Sequence, residues 1–546
     1  MEEKEIENAG SLRSQEVSMS VRALLFVLLS LSFIWSGGLR RQSDASPLGP
    51  KLNYFTYLGG KQAEWGTALW VDSSGNVYVG GETLSPNFPV ASAFQPACNG
   101  KRKCYAGFLA KLDTSGRKLL FSTFLEGKCR GVTYVVTGIA TDKDGNTYIC
   151  MQYEGILNVG HGGGSVAKFN PSGRQIYRTP LQSRVFSSPE GIAVDAFPEG
   201  IAVDELGNAY VTGWMLRDAS RTAPPIVFKQ ADLSRGPVFL RYEIKTDAFK
   251  QAERHGGGLA RTVGERDAFV VKLDSAGSIT KEFVIEGNGD DAGYAIAVGR
   301  SGRVYVTGST TSGDFPLVNP PHLPGAASTR KQVPGDTDLF VAKVDMANGE
   351  LLSATAFGGG SMDVGYAIAV DDKEDVFVAG GTASADFPTM SPAQELLAGD
   401  VDAFVAKLTG DGLRLAFSTY LGAGSLDVAI SMALDGEGAV CIAGTTKSPD
   451  FPVLNAVGLK DGCKKSEECS DALVAKLDAK GRKIVAGRFG GEKEEKATGI
   501  AVDASGGVYI MGTTQSANLG TRNALKRSLS GRSDAFLARF DGFSFR

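Results

Sequence analysis

The stretch YAIAVGRSGRVYVTGSTTSGDFP begins at Tyr294, and YAIAVDDKEDVFVAGGTASADFP begins at Tyr366, 72 residues later. A chain that repeats itself at such a period builds one supersecondary unit several times and stacks the copies into a shared core. Five further copies are legible: WGTALWVDSSGNVYVGGET from Trp65, TGIATDKDGNTYICM from Thr137, EGIAVDELGNAYVTGW from Glu199, ISMALDGEGAVCIAGTT from Ile430 and TGIAVDASGGVYIMGTT from Thr498. Each reads as strand, turn rich in Gly, Asp and Asn, then strand.

A second motif follows every copy. It reads AGFLAKLD at Ala106, GGSVAKFN at Gly163, DAFVVKLD at Asp267, DLFVAKVD at Asp338, DAFVAKLT at Asp402, DALVAKLD at Asp471 and DAFLARFD at Asp534. A further strand follows a short turn, as in LLFSTFLEG from Leu119 and LAFSTYLGAG from Leu415. The unit is therefore four strands, A to D, and four-stranded units repeated radially are the blades of a β-propeller. The expected fold is all-β: a seven-bladed β-propeller of four-stranded blades over residues 47–546. Small residues in strand A, such as Ala295, Ala297, Ala367 and Ala369, suit the crowded position nearest the axis. The phase of the repeat predicts how the ring closes. A lone D strand, Leu52–Gly60, precedes the first A strand, and the chain ends soon after the seventh C strand, so the N-terminal strand completes the last blade. The terminal GFSFR from Gly542 competes for the same place.

The combination STYLGG, GYAIAVDxxGNVYVTG, DFP and DAFVAKLD resembles the SBBP-type bacterial propeller repeat, over about residues 52–541. The resemblance implies a propeller in an exported or cell-surface bacterial protein. It brings no active-site residues with it. Blades two and three depart most from the pattern: blade two lacks DFP and the motif Asp, and blade three is enlarged.

Residues 1–46 read as an N-terminal tail with a signal peptide or anchor. The apolar run 23–35 is shorter than the ~20 residues of a membrane span and fits a signal h-region, with Arg22 before it and Ser36, Gly37 and Gly38 after it. An uncleaved membrane anchor is the other reading. The first 18 residues carry five Glu, which makes Met19 a candidate start as well as Met1. Export favours disulfides among the seven Cys, and two pairs share one spacing: Cys98 with Cys104, and Cys463 with Cys469. Cys150 and Cys441 fall on strand-like runs and are expected to be buried, while Cys129 is left over. The net charge of −4 and the lack of a basic stripe argue against nucleic acid.

Strand C carries a cation in every blade: Lys111, Lys168, Lys272, Lys343, Lys407, Lys476 and Arg539. Strand A ends in Asp in six: Asp72, Asp142, Asp204, Asp371, Asp435 and Asp503, with Gly299 breaking the series. The expectation is a structural ion pair in each blade, the Lys stem lying along the sheet. The DFP element, at Asp314–Pro316, Asp386–Pro388 and Asp450–Pro452, reads as a strand stop whose Phe plugs a gap. Asp142–Asn146 resembles part of a calcium loop but lacks its distal ligands, so no cofactor is expected beyond this weak Ca²⁺ candidate. The Gly-rich HGGGS at His161 has no Lys-Ser/Thr after it, and the three His, His161, His255 and His322, form no pattern.

An insertion at about residues 215–262 separates strands B and C of blade three. Just before it, PEGIAVDAF at Pro189 is followed by PEGIAVDE at Pro198, a tandem copy of strand A. A loop this long inside a compact domain is a partner-docking element, a lid or a neutral insertion. No catalytic residue is nominated. The functional expectation is a non-catalytic binding module, secreted, periplasmic or at the cell surface, whose partner is a protein or glycan of the cell envelope. A membrane enters only through the N-terminal anchor reading. The alternatives are a propeller enzyme, a lyase or hydrolase acting on glycans or lactones, and a structural or adhesion protein.

Overall fold

Each copy of the first motif folds as a β-hairpin, and the turn shows why its residues recur. Asp72 closes the turn from both sides: its backbone N–H bonds Asn76 O at 3.0 Å, and its Oδ1 accepts the N–H groups of Ser74 and Asn76. Gly75 takes the left-handed conformation the turn demands, with φ +80°. The same set, with Asp142, Gly145 and Asn146 or Asp204, Gly207 and Asn208, builds the next two turns.

The structure is a computed structural model. It describes residues 50–98, 104–126, 132–155, 162–187, 193–216, 266–319, 337–410, 414–451, 469–543 and 545. All belong to one compact unit, Gly49–Arg546. The N-terminal segment 1–46, most of the blade-three insertion, Cys129, Cys463 and the three His lie outside the described residues. No helix among the described residues is long and apolar enough to cross a membrane.

The strands follow in chain order, blade by blade. β1 (Lys51–Leu58) stands before the first unit. Blade one is β2 (Glu64–Val71), β3 (Val77–Thr83), β4 (Ala106–Leu112) and β5 (Leu119–Leu125). Blade two is β6 (Val132–Thr141), β7 (Thr147–Gly155), β8 (Gly163–Phe169) and β9 (Gln175–Pro180). Blade three is β10 (Gln182–Ser187), β11 (Ala193–Val203), β12 (Ala209–Leu216), β13 (Arg266–Leu273) and β14 (Ile279–Ile285). Blade four is β15 (Asp291–Val298), β16 (Val304–Thr310), β17 (Asp338–Asp345) and β18 (Glu350–Phe357). Blade five is β19 (Asp363–Val370), β20 (Val376–Thr382), β21 (Asp402–Leu408) and β22 (Leu415–Leu421). Blade six is β23 (Asp427–Leu434), β24 (Val440–Thr446), β25 (Asp471–Leu477) and β26 (Ile484–Phe489). Blade seven is β27 (Glu495–Val502), β28 (Val508–Thr514) and β29 (Asp534–Asp541), completed by β1.

β1 pairs antiparallel with β29 from Lys51↔Asp541 to Leu58↔Ala535. The ring is thus a seven-bladed propeller closed by the N-terminal strand. The chain terminus does not take the D position; Phe543 instead packs into the seam between blades six and seven. Blade three gains a fifth strand. The first copy of the duplicated strand A extends β11, and β10 pairs with that extension at Ala193 and Asp195.

Stacked sheets bury both faces, and strands B show it: β3, β20, β24 and β28 are buried at every residue. Seven apolar seams, one between each pair of neighbouring blades, make up the core of the described residues. The DFP phenylalanines fill these seams. Phe88, Phe315 and Phe387 stack on strand-C rings Phe108, Phe340 and Phe404 at 4.5, 5.1 and 4.8 Å. Each such ring stabilises its seam by about 1.5–3 kcal/mol of apolar burial.

Candidate functional site

The two ends of the ring differ in chemistry. At the end carrying the A–B and C–D turns, the cation of strand C meets the Asp that ends strand A. Lys111 Nζ lies 3.5 Å from Asp72, Lys168 3.5 Å from Asp142, Lys476 2.8 Å from Asp435 and Arg539 3.0 Å from Asp503. Lys407 lies 3.5 Å from Asp371 and 2.9 Å from Asp375. In six blades a strand-B aromatic completes the group, and in blade six Cys441 stands in its place. Tyr78, Tyr148, Tyr210 and Tyr509 each donate a hydroxyl hydrogen bond to the Asp, and the cation sits over the ring, at 4.6 Å for Lys111 and 5.4 Å for Lys272.

These groups are closed. Side chains of the paired cations are only 9 to 18 % exposed. Burial pushes the Asp72 and Asp435 carboxyls up, but hydrogen bonds and the facing ammonium outweigh it and hold both below the usual carboxylate range. Such a group organises its own blade and offers no surface to a ligand.

Blade four shows how strictly the group is kept. Gly299 supplies no carboxylate, and Glu374 from blade five fills the gap, 3.5 Å from Lys343 Nζ and accepting the Tyr305 hydroxyl at 2.9 Å. A Cβ on residue 299 would stand 3.0 Å from Glu374 Oε1, so the glycine makes room for the neighbour.

Along the axis every innermost strand carries a β-bulge at the same place. The bulged residues are Thr67, Thr137, Glu199, Tyr294, Tyr366, Ile430 and Thr498. The glycine of each VTG-type strand B belongs to the same device. A Cβ on Gly308 or Gly380 would lie 1.8 Å from the carbonyl oxygen just before the bulge. Three bulged threonines hand a hydrogen bond to the next blade: Thr498 to Gly66 O, Thr67 to Val136 O and Thr137 to Pro198 O. That arc of the ring is tied shut.

The remaining arc is built differently. In blade three the bulge holds Glu199, whose Oε1 accepts the Trp214 indole N–H at 3.2 Å. Trp214 stacks on Phe197 with ring centroids 4.1 Å apart, and the Arg266 guanidinium lies 4.9 Å from its ring. Leu216 and Arg266 pair across the root of the insertion, so this stack stands where that segment leaves and rejoins the blade. Gly200, beside Glu199, abuts Tyr294 O and the Ala295 Cα of blade four. Tyr294 and Tyr366 follow, 5.6 Å apart. Beyond them Met362, Val364, Leu426 and Val428 form an apolar floor. Aromatic rings, a carboxylate and a guanidinium thus follow one another over blades three to five, the mixture of residue types found in ligand sites. Bulges next to functional sites commonly re-aim side chains in this way.

Four stretches, residues 53–89, 190–214, 284–316 and 491–520, match the SBBP β-propeller repeat. The chain carries SBBP β-propeller repeats. No curated protein matches it. Among solved structures it is similar to a protein of unknown function from Dyadobacter fermentans DSM 18053, at 11% identity over 76% of this chain and 100% of that one, with a TM-score of 0.36. It is also similar to Sqt1 from Chaetomium thermophilum, at 9% identity over 89% of this chain and 99% of that one, with a TM-score of 0.39. An ulvan lyase bound to a GlcA–Rha3S unit shows 10% identity over 88% of this chain and 98% of its own, with a TM-score of 0.40.

Elsewhere the SBBP-repeat chain forms the Cys98–Cys104 disulfide, and Cys469 is disulfide-bonded while its expected partner Cys463 lies outside the described residues. Cys150 and Cys441 are buried thiols. Asp142–Asn146 is an ordinary hairpin turn whose carboxylate is occupied by Asn146, Tyr148 and Lys168. No group of three or more metal-ligating side chains occurs among the described residues. The arc of Glu199, Trp214, Arg266, Tyr294 and Tyr366 is not singled out by motif reading. Its signal lies in one column of the aligned repeats, where Thr gives way to Glu, Tyr and Ile while the position after it stays small.

Proposed function

We propose that this propeller is an exported, non-catalytic binding module, and that its ligand seats on the arc of blades three to five. The observation that carries this reading is the Phe197–Trp214–Arg266 stack with Glu199 on the indole N–H. An aromatic stack edged by a carboxylate and a guanidinium suits a glycan of the cell envelope: the edge of the stack meets the apolar part of a sugar, and the charged groups take its hydroxyls. Tyr294 and Tyr366 extend the platform toward blade five. The Cys98–Cys104 bridge and the kinship with SBBP repeats support an extracytoplasmic setting.

The test is a thermal-shift screen of the full chain against envelope oligosaccharides and cell-wall fragments. A ligand bound only by the folded state raises the midpoint by mass action. The expected result is a raised midpoint that is lost in Trp214→Ala and reduced in Glu199→Gln, and is kept in Phe94→Ala, which alters an exposed ring on blade one. A shift that survives both site substitutions places the ligand elsewhere. Turnover of the bound saccharide would favour the enzyme reading.

A further inference from the structure

A second constellation recurs between the blades, at the end that carries the insertion. Strand A begins with an acid in five blades: Glu64, Asp291, Asp363, Asp427 and Glu495, all fully buried. In each, one carboxylate oxygen accepts a backbone N–H from the preceding loop: Gly60, Gly287, Gly359, Ala423 or Gly491. A serine hydroxyl adds a bond to Asp291, Asp363 and Asp427, and a threonine hydroxyl to Glu64 and Glu495.

The partner of each acid is another acid, the Asp that opens the strand-C motif of the preceding blade. A Cβ on Gly59 would lie 2.3 Å from Glu64 Oε2 and 2.5 Å from Asp534 Oδ1. On Gly358 it would lie 2.3 Å from Asp363 Oδ2 and 2.4 Å from Asp338 Oδ1. On Gly490 it would lie 2.0 Å from Asp471 Oδ1 and 2.8 Å from Glu495 Oε2. Two carboxyl groups therefore straddle each glycine, their facing oxygens within about 5 Å, where two buried like charges repel strongly. At the other two junctions the same pairing shows as repulsion: Asp427 acts on Asp402, whose Oδ1 would lie 2.2 Å from a Cβ on Gly422, and Asp267 acts on Asp291, where Glu286 replaces the glycine. Asp534 Oδ1, the oxygen turned toward Glu64, is buried without a hydrogen-bond partner, as are Asp291 Oδ1, Asp363 Oδ1 and Asp427 Oδ1.

The repeats themselves show that the two acids belong together. Tyr134 of blade two and Ala196 of blade three hold the strand-A position, and the strand-C residues they would face are Ala106 and Gly163. Five junctions have both acids and two have neither. An acid needed only for its own blade has no reason to vanish with a residue of the next.

We propose that each of these five junctions binds one proton between its two carboxyl groups, latching neighbouring blades under mildly acidic conditions and loosening them as the pH rises. The surrounding groups allow it. Lys526 Nζ lies 2.6 Å from Asp534 Oδ2 and Arg488 pairs with Asp471, so two junctions hold one cation against two acids. Asp402 is met by Gln394 and the Ala398 N–H, with Asp450 acting on Asp427 from the next loop. Asp386 stands beside Gly359 near Asp363, and Asp314 and Asp290 flank the Asp291 junction. Burial raises the acids against the hydrogen bonds that pull them down: Asp363 to about 8, Glu495 to about 7 and Asp291 and Asp402 to about 6, with Glu64, Asp427 and Asp534 moved the same way. The groups around each strand-A acid are mainly donors, which suits a shared proton rather than a metal ion.

The sign follows from linkage. The folded ring binds more protons than the unfolded chain between the ordinary carboxyl range and the raised values, so stability is full below about pH 4 for these groups and is lost toward about pH 8. The experiment measures the thermal midpoint of the full chain from about pH 5 to 9, with proton release on unfolding followed near neutrality in weakly buffered solution. The midpoint is expected to fall by several degrees with rising pH, and protons to be released. Asp402→Asn and Asp363→Asn, which present an uncharged amide in place of the shared acid, are expected to flatten the slope; either variant suffices should the other fail to fold. A midpoint independent of pH, or no proton release, overturns the proposal. So does a midpoint at alkaline pH that Ca²⁺ raises in the parent and not in Asp402→Asn, which makes the junction a cation site.

Discussion

Glu374 of blade five stands 3.5 Å from Lys343 Nζ of blade four and takes the place that Gly299 leaves empty. Six blades keep a carboxylate of their own at this position, and the seventh borrows one across a seam. Burial acts to raise Glu374, but bonds from Ser301 and Tyr305 and the Lys343 ammonium hold it down at about 2. Glu374→Ala is expected to destabilise the ring by about 2 kcal/mol, since it strands a hydroxyl and a cation. Gly299→Asp alone is expected to destabilise, because its side chain meets Glu374. The double variant Gly299→Asp/Glu374→Ala is expected to recover part of the loss. Additive losses in urea unfolding would show that the two positions do not exchange roles.

Lys407 tests the same group where it is intact. Its ammonium serves both Asp371 and Asp375 and lies 4.7 Å from the Phe377 ring. Lys407→Met keeps the stem and leaves two carboxylates facing each other. A loss of roughly 1–3 kcal/mol in urea unfolding is expected. An unchanged midpoint would remove the structural account of the seven cations.

The strand β1 closes the ring, burying Leu52, Phe55 and Tyr57 in the seam between blades six and seven. Deleting residues 51–58 leaves β29 as an open edge. The deletion is expected to lose cooperative unfolding and to self-associate, as read by sedimentation and calorimetry. A monomer with the parent midpoint would contradict closure by this strand.

At the acid limit the groups of strand-A Asp and strand-C cation dominate. Asp72, Asp142, Asp435 and Asp503 are lowered: burial opposes this, and hydrogen bonds and the facing cations prevail. Their contribution is present above the ordinary carboxylate value of 3.8 and is lost as the pH falls through the lowered values. With the alkaline loss from the paired acids, stability is expected to peak in mildly acidic solution. A plateau extending from neutrality to strong alkali would contradict this balance.

The fold was legible because each blade writes its own strands and turns locally. Asp72, Gly75 and Asn76 specify a hairpin within five residues, and the early position of Leu52–Leu58 in the repeat phase specifies closure. What was not legible depends on neighbours in space. Glu374 substitutes for a residue 75 positions earlier, at Gly299. Glu64 and Asp534 face each other from opposite ends of the chain. Tyr294 and Tyr366 open the same repeat motif, but nothing in it groups them with Glu199; only the bulge, which depends on strand pairing, places all three at one position of the innermost strand.

The most direct test of the binding account is a fluorescence titration that reports from Trp214 itself, in a full-chain variant with Trp35, Trp65 and Trp70 changed to Phe. Envelope oligosaccharides and cell-wall fragments are the probes. The account predicts a saturable change in Trp214 emission at the concentration that raises the thermal midpoint. A midpoint shift with unchanged Trp214 emission would contradict it, placing the ligand away from blades three to five.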